Sequence, residues 1–254
     1  MGPKAFFLLV ACLSLTATAA AQDRHYRALV IGNGQYARPL KWPVTNARAI
    51  AGRLKELQFD VASCENANNK RLASALAAFR QKIAPGDVMV LYYAGRVSRS
   101  HGTPVIVPLD DTDPEIDLGI PLQSVFDILE RSRAALSMVV LDVLAEWPVF
   151  GLDIGKEWLG AIPEAPAHTV ILSASAAAGR GSLTSEFLHA LDKPARSIAD
   201  LVEEIKAATA RRDLFRIEGD APANIPVAPA GDSSGTEPGV PATDPQQPGK
   251  KPDR

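Results

Sequence analysis

The run Val88-Met89-Val90-Leu91-Tyr92-Tyr93 constrains this chain most. Six successive apolar or aromatic residues, with no polar alternation, do not suit a strand with one wet face. They suit a strand buried in a sheet that is covered on both sides. Pro85-Gly86 precedes the run and Ala94-Gly95 follows it, so the strand is expected to end in a small-residue turn that presents Arg96 at its tip. Shorter strand-like runs lie at Arg27 to Ile31, Phe59 to Ala62, Met138 to Leu141 and Thr169 to Leu172, with a brief one at Val105 to Val107 that stops at Pro108.

Helical spacing fills the intervals. Ala47, Ile50, Ala51, Leu54 and Leu57 share one face, as do Leu72, Ala75, Leu76, Phe79 and Ile83. Further helices are expected from Leu122 to Leu129, Ser185 to Leu191 and Ile198 to Ala210. This order predicts an α/β fold: a mostly parallel sheet between two layers of helices, with its functional site at the carboxyl ends of the strands.

The two ends of the chain read differently. Lys4, the apolar stretch Ala5 to Leu15 and Ala19-Ala20-Ala21 have the order of a secretory signal, so residues 1–21 are expected to be a signal peptide cleaved after Ala21. The apolar stretch is too short to span a bilayer. Leu9-Val10-Ala11-Cys12 also has the form of a lipoprotein box, but apolar residues continue past Cys12, which favours plain secretion to the periplasm or medium. Cleavage leaves Cys64 as the one thiol, so the mature chain cannot form an internal disulfide, and burial of Cys64 is expected. From Gly219 onward, prolines recur among Gly, Ser, Asp and Gln, with no aromatic residue after Phe215. Residues 219–254 are therefore expected to be a disordered tail, either a spacer or without a role, which leaves residues 22–218 as the folded domain.

Several chemistries fit poorly. A net charge of −2 gives no basic footprint for nucleic acid. Gly32-Asn33-Gly34-Gln35-Tyr36-Ala37 has the loose form of a dinucleotide loop, but Pro39 and Pro43 are expected to delay the next helix until about Thr45, which misplaces its N-terminus for a pyrophosphate. His25, His101, His168 and His189 are scattered, with no metal-ligand spacing, so no metal or cofactor is expected. Ser173 and Ser175 follow a strand without the G-x-S-x-G elbow, and turn or capping roles suit them better.

Taken together, Arg27 to Tyr36, Pro43 to Ala51, Phe59-Asp60-Val61, Gly86-Asp87, Tyr92-Tyr93-Ala94-Gly95, Val107-Pro108-Leu109-Asp110 and Val139 to Asp142 resemble successive segments of the caspase-like cysteine peptidases, in their bacterial metacaspase-type branch. Ser173-Ala174-Ser175, Ser185-Glu186-Phe187 and Ser197 to Leu201 resemble the last strand and helices. The resemblance runs from about Tyr26 to Arg212 and implies a three-layer caspase-like fold.

It also implies a chemistry that this chain lacks. The family cuts peptide bonds with a cysteine activated by a histidine. Its histidine matches Arg96 and its cysteine matches Leu144. A guanidinium stays protonated and offers no acceptor lone pair, and a leucine has no nucleophile. Losing a member of such a unit costs about six orders of magnitude in rate. Asp142 and Asn46 match positions of the family's acidic pocket for Arg or Lys side chains and are read as its remnant.

Arg96 and Asp142 are expected either to pair across the old cleft or to leave Arg96 pointing to solvent. Cys64 is expected about 10 Å from the histidine position, two strands away. The apolar loop carrying Glu146, Trp147, Phe150 and Trp158 either receives a partner or covers its own cleft. The sequence thus predicts an exported pseudo-peptidase that binds a peptide or protein without hydrolysis, with a cysteine-type endopeptidase cleaving after basic residues as the alternative.

Overall fold

The computed structural model describes residues 24–110, 119–145, 154–175, 182–193, 197–212 and 214–229. The expected signal segment, Cys12, and Glu146, Trp147 and Phe150 lie outside the described residues, as does the chain beyond residue 229.

The elements run β1 (Tyr26–Gly32), α1 (Trp42–Glu56), β2 (Asp60–Glu65), α2 (Asn69–Lys82), β3 (Val88–Ser100), β4 (Thr103–Ile106), β5 (Ile120–Pro121), α3 (Leu122–Ser132), β6 (Leu136–Ala145), α4 (Ile154–Ala161), β7 (Thr169–Ser175), α5 (Ser182–Leu191), α6 (Ile198–Thr209) and β8 (Phe215–Glu218). They build an eight-stranded sheet whose main path is β2-β1-β3-β6-β7-β8. The first five strands on that path are parallel, and β8 joins β7 antiparallel. Strand β4 folds back on β3, and β5 pairs with β4.

Strand alternation divides the core into two layers. Tyr92, Ala94, Val140 and Leu172 face one layer, packed by α1, α5 and α6. Leu91, Tyr93, Leu141 and Ile171 face the other, packed by α2, α3 and α4. This is why the central runs are apolar without alternation: both faces of β3, β6 and β7 are dry. The predicted three-layer α/β architecture is thus present. Local signals set the helix starts. Asn68 caps α2 by accepting from the Arg71 backbone N–H, and Ser197 and Asp200 form a reciprocal capping box on α6.

Four expectations about elements need correction. Strand β3 does not end at Tyr93; it runs through Ala94-Gly95-Arg96 to Ser100 and reverses at His101-Gly102, where both residues have positive φ. Pairing with β4 supplies hydrogen bonds that a turn at Gly95 would have forfeited. Helix α1 starts at Trp42 rather than Thr45, because a proline at Pro43 in the first turn lacks only an N–H that would be unpaired anyway. Trp158, expected in a loop, lies in α4 and is fully buried in the core.

The fourth concerns the domain boundary at Gly219. Residues 219–229 stay on the domain: Ile225 and Val227 are buried beneath α6 and β1, the Ile198 N–H donates to the Ile225 carbonyl, and the Tyr26 hydroxyl donates to the Pro226 carbonyl. Prolines here satisfy a segment that needs few backbone donors, while its few apolar side chains complete the core. Among the described residues, no helix is long and apolar enough to cross a membrane.

Candidate functional site at the carboxyl ends of β3 and β6

The parallel ladder between β3 and β6 continues through Ala94↔Asp142, Arg96↔Leu144 and Val97↔Ala145. The two positions where the family resemblance places the reactive pair are therefore neighbours across adjacent strands. One holds a buried guanidinium and the other a half-buried isobutyl group.

Arg96 is only 8% exposed and is fixed by the β1–α1 loop. Its Nη2 donates to the Arg38 carbonyl at 2.6 Å, and its guanidinium carbon sits 5.0 Å from the centroid of the Tyr36 ring, a cation–π distance. The Arg96 backbone N–H donates to the Tyr36 hydroxyl at 3.0 Å, and the Tyr93 hydroxyl donates to the Arg96 carbonyl at 2.7 Å. The Tyr36 hydroxyl in turn donates to the Val107 carbonyl at 3.0 Å. Burial lowers the pKa of Arg96 and raises those of Tyr36 and Tyr93. These groups form a packed polar knot across the strand ends. It also accounts for Gly95, since a Cβ there would lie 2.6 Å from the Tyr93 hydroxyl and 2.9 Å from that of Tyr36.

Asp142 belongs to a separate cluster. The expected Arg96–Asp142 pair is absent, because Asp142 stands opposite Ala94 and its carboxylate is engaged by α5. Its Oδ2 accepts from the Thr184 hydroxyl at 2.5 Å and from the Thr184 backbone N–H at 3.3 Å. The same hydroxyl lies 2.6 Å from the Tyr92 hydroxyl and accepts from Asn46 Nδ2 at 3.2 Å. One donor and two acceptor sites on Thr184 are thereby all used. Asp142 is fully buried, and its Oδ1 has no hydrogen-bond partner among the described residues. Burial pushes its pKa up to about 6, against the opposing pull of the Thr184 bonds and of Asn46.

The structure therefore brings Asn46 and Asp142 together, through a residue that the sequence reading missed. Thr184 carried one cue: a hydroxyl residue in the first turn of a helix that follows a core strand.

The remaining candidates serve the fold. Cys64 on β2 stands opposite Ile31 on β1, and Ile31 opposite Tyr93, so the thiol is two strands from β3 as expected. It is buried, and burial pushes its pKa up while Arg71 pulls it down. A raised pKa leaves little thiolate, the form that attacks. In the glycine loop, the Gly34 and Gln35 N–H groups donate to Asn66 Oδ1 at 3.0 and 3.1 Å, so the amides that a phosphate would need are already used. Ser173 donates to the Arg216 carbonyl, which ties β7 to β8. His25, His101, His168 and His189 are all exposed, and among the described residues no group of three or more His, Cys, Asp or Glu could hold a metal.

Comparison with known proteins agrees with this architecture. The caspase domain family model matches residues 25–150. Human mucosa-associated lymphoid tissue lymphoma translocation protein 1 and its mouse homologue are each 26% identical over 119 residues, 46% of this chain. The chain spans only 14% of the length of those relatives. A crystal structure of a Geobacter sulfurreducens protein shares the fold with a TM-score of 0.58 at 15% identity, over 81% of this chain and 98% of that one. Over residues 25–150 the chain is thus similar to caspase domains.

Proposed function

We propose that this protein is an exported caspase-like pseudo-peptidase, which binds a peptide or protein partner without cutting it. The observation that carries the reading is the pairing of Arg96 with Leu144 on adjacent strand ends. A proton acceptor and a nucleophile are needed at such a pair, and these side chains supply neither. The knot of Tyr36, Tyr93 and Arg96 further ties the Arg96 side chain to the β1–α1 loop. Export rests on the signal-like order of residues 1–21. Partner binding rests on the retained domain.

Fluorogenic peptides ending in Arg or Lys test the reading. Purified protein is expected to give no turnover above that of Cys64→Ser, yet to bind the same peptides saturably. Cleavage that Cys64→Ser abolishes would establish the alternative, a cysteine-type endopeptidase.

A further inference from the structure

The two edges of the sheet are protected unequally. Strand β8 is four residues long, antiparallel to its neighbour, and carries the Arg216–Glu218 ion pair. Strand β2, at the other end of the path, is paired on its β1 side only among the described residues. Its six residues run in unbroken register with Arg27–Gly32, with no bulge, proline or lysine within them. Those are the devices that normally blunt an exposed edge. The charges of β2 sit at its ends, where Asp60 meets Arg27 and Lys82 and Glu65 meets Arg48. Between them, Val61 and Ala62 are partly exposed and Ser63 is exposed.

A hollow of about 320 Å³ opens beside this edge, between β2 and α1; Val30, Ala47, Ala51, Gly52 and Ser63 line it together with Lys55 and the Arg48–Glu65 ion pair. Gly52 lies on its wall with open space where a side chain would project. A glycine in a helix interior costs about 1 kcal/mol relative to alanine, yet a Cβ at Gly52 would meet nothing within 4 Å. Ser63 stands opposite Val30, whose side chain faces the α1 layer. Residues paired across neighbouring strands project to the same face. A strand laid along β2 would therefore direct the side chain opposite Ser63 into the hollow.

Charge selects that side chain. Among the described residues, no carboxylate pairs with the exposed Lys55 on the rim, whereas Arg48 is held by two bonds from Glu65. A second copy of the chain fits poorly: antiparallel pairing centred on the strand would set Asp60 against the copy's Glu65 and place only the methyl of Ala62 opposite Ser63. We propose that the outer edge of β2 and the hollow beside Gly52 receive an extended segment of another protein, with an acidic side chain opposite Ser63. Recognition by strand addition takes affinity from the main chain and specificity from alternate side-chain pockets.

A capped peptide of sequence Thr-Val-Thr-Glu-Thr-Val-Thr, and its counterpart with Lys for Glu, test this on isotope-labelled full-length protein by amide NMR shifts. The Glu peptide is expected to shift Val61–Cys64 and Gly52–Lys55 saturably, and the Lys peptide to bind roughly tenfold more weakly. Lys55→Glu should reverse that preference. Gly52→Leu should fold with an unchanged or higher Tm and lose binding. The proposal is overturned by the absence of saturable shifts on β2, by equal affinity for the two peptides, or by undiminished binding to Gly52→Leu. Arg96 and Leu144 lie two and three strands away, so any of these outcomes leaves the pseudo-peptidase reading standing.

Discussion

Arg96 and Leu144 face each other in the parallel ladder of β3 and β6, and the ladder continues one pair beyond them. Both residues are thus held within a continuous ladder. Arg96 acts here as a strut, because its contacts run to Arg38 and Tyr36 on the β1–α1 loop.

Replacing Arg96 by Met keeps the hydrocarbon stem and removes the charge. Arg96→Met loses the hydrogen bond to the Arg38 carbonyl and the cation–π contact with Tyr36, so a loss of at least about 1–2 kcal/mol is expected. Urea unfolding should show a lower midpoint with an unchanged slope. An unchanged midpoint would mean that the guanidinium contributes nothing to the fold.

Thr184 joins two buried groups, Tyr92 and Asp142, to the half-buried Asn46. Thr184→Val conserves shape and deletes the hydroxyl, leaving Tyr92, Asn46 and one Asp142 oxygen short of a bond. Unmet buried polar groups cost about 1–3 kcal/mol each, so a total of a few kcal/mol is expected, with Thr184→Ser close to wild type. Equal Tm values for the Val and Ser variants would contradict the network.

Asp142 predicts an unusual dependence on pH. Its folded pKa, about 6, lies above the ordinary value of 3.8. Between those values the folded state holds a proton that the unfolded chain has released. Stability from this group is therefore complete below about pH 4 and is lost as pH rises through about 6. A shift of that size corresponds to roughly 3 kcal/mol. Asp142→Asn should flatten this part of the profile and exceed wild type in Tm at pH 7.5. Parallel profiles for the two proteins would rule the mechanism out.

Legibility in the sequence followed how local each signal was. The continuous runs of β3, β6 and β7 announced a doubly covered sheet, because burial on both faces leaves its mark on every residue. Strand β8 and the segment through Val227 were not legible, since four half-buried residues and two apolar side chains among prolines owe their order to neighbours distant in sequence. In the candidate site, Asp142 and Asn46 could be paired in advance, but Thr184 could not. Its importance depends on where α5 docks. The Arg96–Asp142 pair failed because residue types alone do not give register: two positions along β3 separate the partner of Asp142 from Arg96.

The proline-containing segment after β8 offers the remaining prediction. Ile225 is 2% exposed, its carbonyl accepts from the first N–H of α6, and Ser197 forms a bridge with Pro226. An isoleucine so placed is a core residue despite its surroundings. Ile225→Ala should cost about 2–5 kcal/mol, as large-to-small core changes do. A chain ending at Glu218 should lose at least as much, because it also uncovers Val227 and the α6 face that both residues cover. Melting curves of the two variants beside full-length protein measure this. A truncated chain as stable as the full one would return the segment to the tail.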